Sequence, residues 1–213
     1  MVGSFSASVL PLMHTISSLA ANNIIQSVSY ATFPISLMII GTAISVVFAT
    51  FSMKHFGRKR GLMFLLSTGL CACLLAAYAL DIENFYLFSL AAFLLGALNA
   101  TIHQMRFVAL EAVKEINHAT AAAIFMSSGI VAAFLGPEIG FLGKDIFEVE
   151  FKGSFILAAI LVAISMIALC FFNEVKKEIK NIKKTKISTS KLLSNPIFTL
   201  ALASGSTSYL VMS

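Results

Sequence analysis

Residues 31–80 read ATFPISLMIIGTAISVVFATFSMKHFGRKRGLMFLLSTGLCACLLAAYAL. Two long apolar runs, about Ala31 to Phe51 and about Leu62 to Leu80, contain no charged residue. Between them stand Lys54, Arg58, Lys59 and Arg60, with Gly57 and Gly61. A helix needs about 20 mostly apolar residues to cross the hydrocarbon core. The runs are too long for barrel strands of about ten residues and lack alternating polarity. The stretch therefore reads as two antiparallel transmembrane helices joined by a tight basic turn.

The same pattern extends in both directions. Further candidate spans are about Val2 to Ala21, Phe85 to Val108, Thr120 to Leu142 and Gly153 to Phe172, and another begins near Ile197 and reaches the last residue, Ser213. The expected fold is an all-α, polytopic transmembrane bundle. It has six spans over residues 1–172, a basic link over 173–196 and the start of a seventh span over 197–213. No basic leader precedes the first apolar run, so no cleavable signal peptide is expected. The first span is rich in polar residues, including His14, Thr15, Ser17 and Ser18, with Asn22 and Asn23 beyond it. It reads as a cavity-lining helix rather than a degraded one. In the link, Val175, Ile179, Ile182 and Ile187 recur near helical spacing. That suits either an amphipathic helix at a membrane surface or a solvated linker.

Composition agrees. Of the 213 residues, 58% are hydrophobic and 12% charged, about half the charge fraction of a soluble domain. The mean hydropathy is +0.91. The net charge of +5 is confined to connectors, so nucleic acid is not implied as a partner. Thirteen of the 15 lysines and arginines fall on the side that holds the Gly57 turn and the lysine-rich link. Only Lys144 and Lys152 lie opposite, with Asp81, Glu83, Asp145, Glu148 and Glu150. By the positive-inside rule the N-terminus is expected in the cytoplasm. Cys71, Cys73 and Cys170 fall in apolar runs and read as small core residues. No metal site, cofactor motif, H-E-x-x-H, G-x-S-x-G or paired-carboxylate arrangement occurs in the spans, so an enzyme is not expected.

Chemistry within the spans is concentrated in two places. Asn99, His103 and Arg106 follow i, i+4, i+7 spacing and share a helix face. Gln104 adjoins them and Glu111 follows. Charges and strong dipoles are expensive in lipid, so this stripe should face the bundle interior or water. Arg106 also suits a snorkelling anchor near the helix end, and His103 a proton switch or a plain hydrogen-bonded side chain. The fifth span carries Gly129, Gly136, Pro137 and Gly140, residues that permit close approach and bending. Glu138, beside them, reads as solvated.

The run Gly57-Arg58-Lys59-Arg60-Gly61-Leu62, placed between spans two and three, resembles the signature loop of the major facilitator superfamily. Thr50, Ser52 and Lys54 replace the glycine, leucine and acid of the motif's earlier half. Gly136-Pro137-x-x-Gly140 resembles the family's fifth-span motif, with Ala132 and Phe141 at two expected glycines. The run Ala31-Thr32-Phe33-Pro34 and the Arg106-Phe107 step look closest to bacterial branches. The resemblance implies the N-terminal six-helix half of a secondary transporter in a bacterial inner membrane. It implies alternating access and ion coupling, with a small solute as partner and no cofactor. Arg106 resembles the fourth-span arginine that serves substrate binding or proton coupling. Asn99, His103 and His14 become further cavity candidates, and Glu111 resembles the acid that pairs with the loop arginine, here Arg58. The missing half would be a second six-helix bundle or a second copy. Alternatives are a truncated, inactive member of the family and a membrane assembly factor.

Overall fold

Gly57 is the single non-helical residue between Phe33 and Asp81. The computed structural model describes residues 2–25, 30–111, 113, 115–171, 196, 199–200, 203–204 and 207. In it, helices α1 (Val2–Ala7), α2 (Val9–Ile25), α3 (Phe33–Phe56), α4 (Arg58–Asp81), α5 (Phe85–Glu111), α6 (His118–Leu142) and α7 (Lys152–Cys170) follow one another, with a 3-10 turn at Glu115–Asn117. Among the described residues there is no strand. Gly57 has φ 87° and ψ 163°, a combination open to glycine and strained for any residue with a Cβ. That geometry reverses the chain in one step. The basic residues expected in a longer connector instead complete helices α3 and α4 of 24 residues each. At about 36 Å such helices outreach a core of about 30 Å, so their charged ends leave the lipid.

Five of these helices, α3 to α7, are long and apolar enough to cross a bilayer. The first expected span, Val2 to Ala21, differs: it is split at Ser8 and runs on to Ile25. Pro11 is the cause. Its ring crowds the carbonyl four residues back, at Ala7, and it has no N–H to donate there. The ladder restarts with Leu12 N–H on the Ser8 carbonyl at 3.2 Å, and Ser8 Oγ–H donates to the Phe5 carbonyl at 2.7 Å. The polar groups freed by the break are thereby partly satisfied without water.

Packing follows small residues. A Cβ at Gly41 or Gly96 would strike the backbone of the facing helix, so α3 and α5 touch main chain to main chain. Their order is parallel: Asn99 Nδ2–H donates to Thr42 Oγ1 at 3.3 Å, and Gln104 Nε2–H to Thr50 Oγ1 at 3.5 Å. Helices α4 and α7 run antiparallel and are tied at both ends. Lys59 Nζ–H donates to the Cys170 carbonyl at 2.6 Å, and Lys152 pairs with Asp81 at 2.6 Å. Their shared interior, with α5, is alanine-rich and closed by Phe88 against Phe155, ring centroids 5.7 Å apart. Large apolar side chains such as Val47, Phe48, Ile130 and Phe134 are exposed, because lipid is their solvent.

The geometry sorts the charges. Lys54, Arg58, Lys59 and Arg60 gather at the Gly57 end. Asp81, Glu150, Lys144 and Lys152 gather at the other, where Lys144 pairs with Glu150 at 3.8 Å and Asn23 Nδ2–H donates to Glu150 at 2.8 Å. Residues Met1–Val175 form one unit and Lys176–Ser213 another. In the second, Pro196, Thr199, Leu200, Ala203, Ser204 and Thr207 are helical. The link expected over 173–196 and its amphipathic stretch lie outside the described residues apart from Pro196.

Candidate functional site

Helix α5 presents its polar stripe to two different neighbours. Asn99 is half-buried and turned to Thr42 on α3. One to two turns further, His103 and Arg106 reach a cleft of about 180 Å³ beside α6, walled also by Ala7, Phe125, Ser128 and Gly129. Among the described residues neither His103 nor Arg106 has a hydrogen-bond or ion-pair partner. The shared face was legible from spacing, but its division was not, because α3 and α6 flank the helix at different levels. His14 is exposed on α2 and lines neither this cleft nor the wider one described next.

Towards the His118 end of α6 lies a second, wider cleft of about 570 Å³, lined by Ala109, Val113, Asn117, Thr120, Ala121 and Ile124. Phe125 and Ser128 line both clefts. Ser128 Oγ–H donates to the Phe125 carbonyl at 2.6 Å, which leaves its lone pairs free to accept. The wider part is mostly apolar; the narrow part holds the guanidinium and imidazole.

The glycines of α6 divide in the same way. A Cβ at Gly136 would lie 2.5 Å from the Ser8 carbonyl oxygen and 2.9 Å from the Leu12 nitrogen. At Gly140 it would stand 3.1 Å from Ile16. Both therefore seat the broken first helix, and Ser154 Oγ–H donates to the Gly140 carbonyl at 2.6 Å. At Gly129 a Cβ would meet nothing within 4 Å. Pro137 lies inside the helix one residue after Gly136 and is half-buried.

The loop residues have structural partners. Lys59 sits at the C-terminus of α7, where a cation complements the helix dipole. Arg58 is exposed, and the side chain of Glu111, its expected partner, lies outside what the structure describes. Thr50, at the motif's first glycine position, joins α3 to α5 through Gln104. Sequence reasoning missed Thr42, the Gly41–Gly96 crossing and the Lys59–Cys170 bond. The glycines were visible as small residues in apolar runs, but their pairing was not. Among the described residues no three His, Cys, Asp or Glu side chains gather to hold a metal ion.

Two bacterial proteins are similar to this chain. The riboflavin transporter RfnT of Brucella anthropi is 29% identical over 209 residues, 97% of this chain and 52% of that protein. The uncharacterized MFS-type transporter YddS of Bacillus subtilis is 29% identical over 165 residues, 74% of this chain and 37% of that protein. The chain thus spans about half the length, or less, of the curated relatives it matches. No solved structure matches it. With an apolar bundle that is helical among the described residues, a one-residue glycine turn flanked by basic residues between α3 and α4, and a family model matching residues 1–213, the chain belongs to the Major Facilitator Superfamily.

Proposed function

We propose that this chain forms part of a secondary active transporter that moves a small solute across the membrane by alternating access, coupled to an ion gradient. The observation that carries the reading is Arg106. It is a cation without a partner among the described residues, on an apolar helix, at the wall of a cleft. The guanidinium is exposed at that wall, and its donors are open to a ligand or a coupling ion. His103 beside it supplies a second hydrogen-bonding group. Riboflavin is the first solute to test, since a relative at 29% identity is named for its transport.

The charge partition supports an N-terminus in the cytoplasm of a bacterial inner membrane, with the Gly57 turn on the same side. Helix α6 buries only 11% of its apolar window within the chain. That supports a second bundle, or a second copy, completing the solute pathway along it.

The test is uptake of radiolabelled riboflavin into membrane vesicles, comparing this chain with one extended by a second six-helix half. Arg106→Ala should abolish uptake while membrane insertion stays at the parental level. Undiminished uptake in that variant removes Arg106 from the mechanism. Absence of riboflavin uptake in both chains, with uptake of another solute, removes riboflavin alone.

A further inference from the structure

On α6, Ala121, Ile124, Ser128, Ala132, Gly136 and Gly140 follow one another at steps of three or four residues, a strip that turns slowly around the helix. The part nearer Leu142 is packed: Ala132, Gly136 and Gly140 are buried, and the two glycines rest on α2 and Ser8. The part nearer His118 is open and lines the two clefts, which share Phe125 and Ser128. Gly129 belongs to the open part. Its lack of a side chain is not required by any neighbouring helix, since a Cβ there would meet nothing within 4 Å. It does leave the narrow cleft clear opposite His103 and Arg106.

We propose that the two clefts are one binding groove for an amphipathic solute, and that Gly129 sets the girth admitted at its narrow end. The accepting or anionic head lies at Arg106 and His103, and the flat apolar body lies against Ala109, Ala121 and Ile124. The groove offers donors at one end and apolar walls at the other. An acceptor-bearing head replaces lost water contacts at the guanidinium, whereas a cationic head would meet a like charge. The apolar body gains by leaving water for the wide end. This inference rests on the transport reading for the place of the cargo, and adds the cargo's chemistry and the residue that limits its size.

The experiment uses the whole 213-residue chain in membrane vesicles, with Cys71→Ser, Cys73→Ala and Cys170→Ser as background. Single cysteines are placed by Gly129→Cys and Ala121→Cys in the groove and by Ala132→Cys, a buried position, as control. Each is treated with a water-soluble maleimide from the Gly57 side. Gly129→Cys and Ala121→Cys should react, and Ala132→Cys should not. The probes are 2-naphthoate and its charge-reversed counterpart, 2-naphthylmethylammonium. At ten times its half-saturating concentration, 2-naphthoate should slow labelling at both groove positions about tenfold, and the ammonium probe should slow neither. Adding Gly129→Leu to the Ala121→Cys chain should leave insertion unchanged and remove the protection. An unreactive Gly129→Cys, protection at one position only, equal protection by the ammonium probe, or protection surviving Gly129→Leu would overturn the proposal. Labelling needs no turnover. Protection without uptake therefore upholds the groove against the transport reading, and uptake without protection does the reverse.

Discussion

Both halves of helix α6 carry small residues, yet one is a packing face and the other a cleft wall. Near Leu142, Gly136 and Gly140 bring the backbone against α2. Near His118, Gly129, Ser128 and Ala121 look onto open space. The difference originates in the first helix. Pro11 breaks it at Ser8, and Ser8 with the first turns of Val9–Ile25 packs against Gly136 and Gly140 of α6. Ala7 stands at the narrow cleft, where the seated stretch ends. A small residue in a membrane helix is thus either a contact or a vacancy, depending on whether a neighbour follows the same track.

Substitutions on the two halves should separate cleanly. Gly136→Leu is expected to be the most damaging, because its side chain must displace main-chain atoms of Ser8 and Leu12. A loss of about 3 kcal/mol is expected for such overpacking, read as a collapse of the monodisperse peak in detergent and a lowered Tm. A Gly136→Leu chain with parental Tm would erase the contrast. Lys59→Met removes a cation from the C-terminus of α7 and should cost about 0.5–1 kcal/mol, measured by thermal unfolding in detergent. Asp81→Asn loosens the opposite end of the α4–α7 pair. Both partners are partly exposed, with side chains 25% and 41% accessible, so the expected loss is about 0.5 kcal/mol, smaller at high salt. A larger loss for Asp81→Asn than for Lys59→Met would reverse the ranking of the two ends. Gly129→Leu should change stability least, within about 0.5 kcal/mol, and a Tm drop like that of Gly136→Leu would mean that both halves of α6 are packed.

Much of the architecture was legible. The apolar runs located α3 to α7 within a few residues, and the basic clusters marked one end of the bundle. The first helix was read as one continuous span because its composition was weighed and the position of Pro11 was not. The ring's clash with Ala7 could have been read locally. The Gly57 turn was expected to be longer, because charged residues were assigned to a loop. Lysine and arginine are good helix formers, and outside the hydrocarbon core they complete the helix without penalty. For the candidate site, the shared face of Asn99, His103 and Arg106 followed from helical spacing. That Asn99 turns to Thr42, 57 residues away, while Arg106 and His103 reach the cleft beside α6, did not.

By itself the sequence determined the helical segments, their approximate ends and the sorting of charge between the two faces of the bundle. In lipid each segment must satisfy its own backbone hydrogen bonds, and each cation must stay out of the hydrocarbon, so these properties are local. Only the tertiary structure decided which glycine is a contact and which a vacancy, and which polar residue has a partner. Those outcomes depend on atoms supplied by another helix, and no spacing within one helix records whether that neighbour is there.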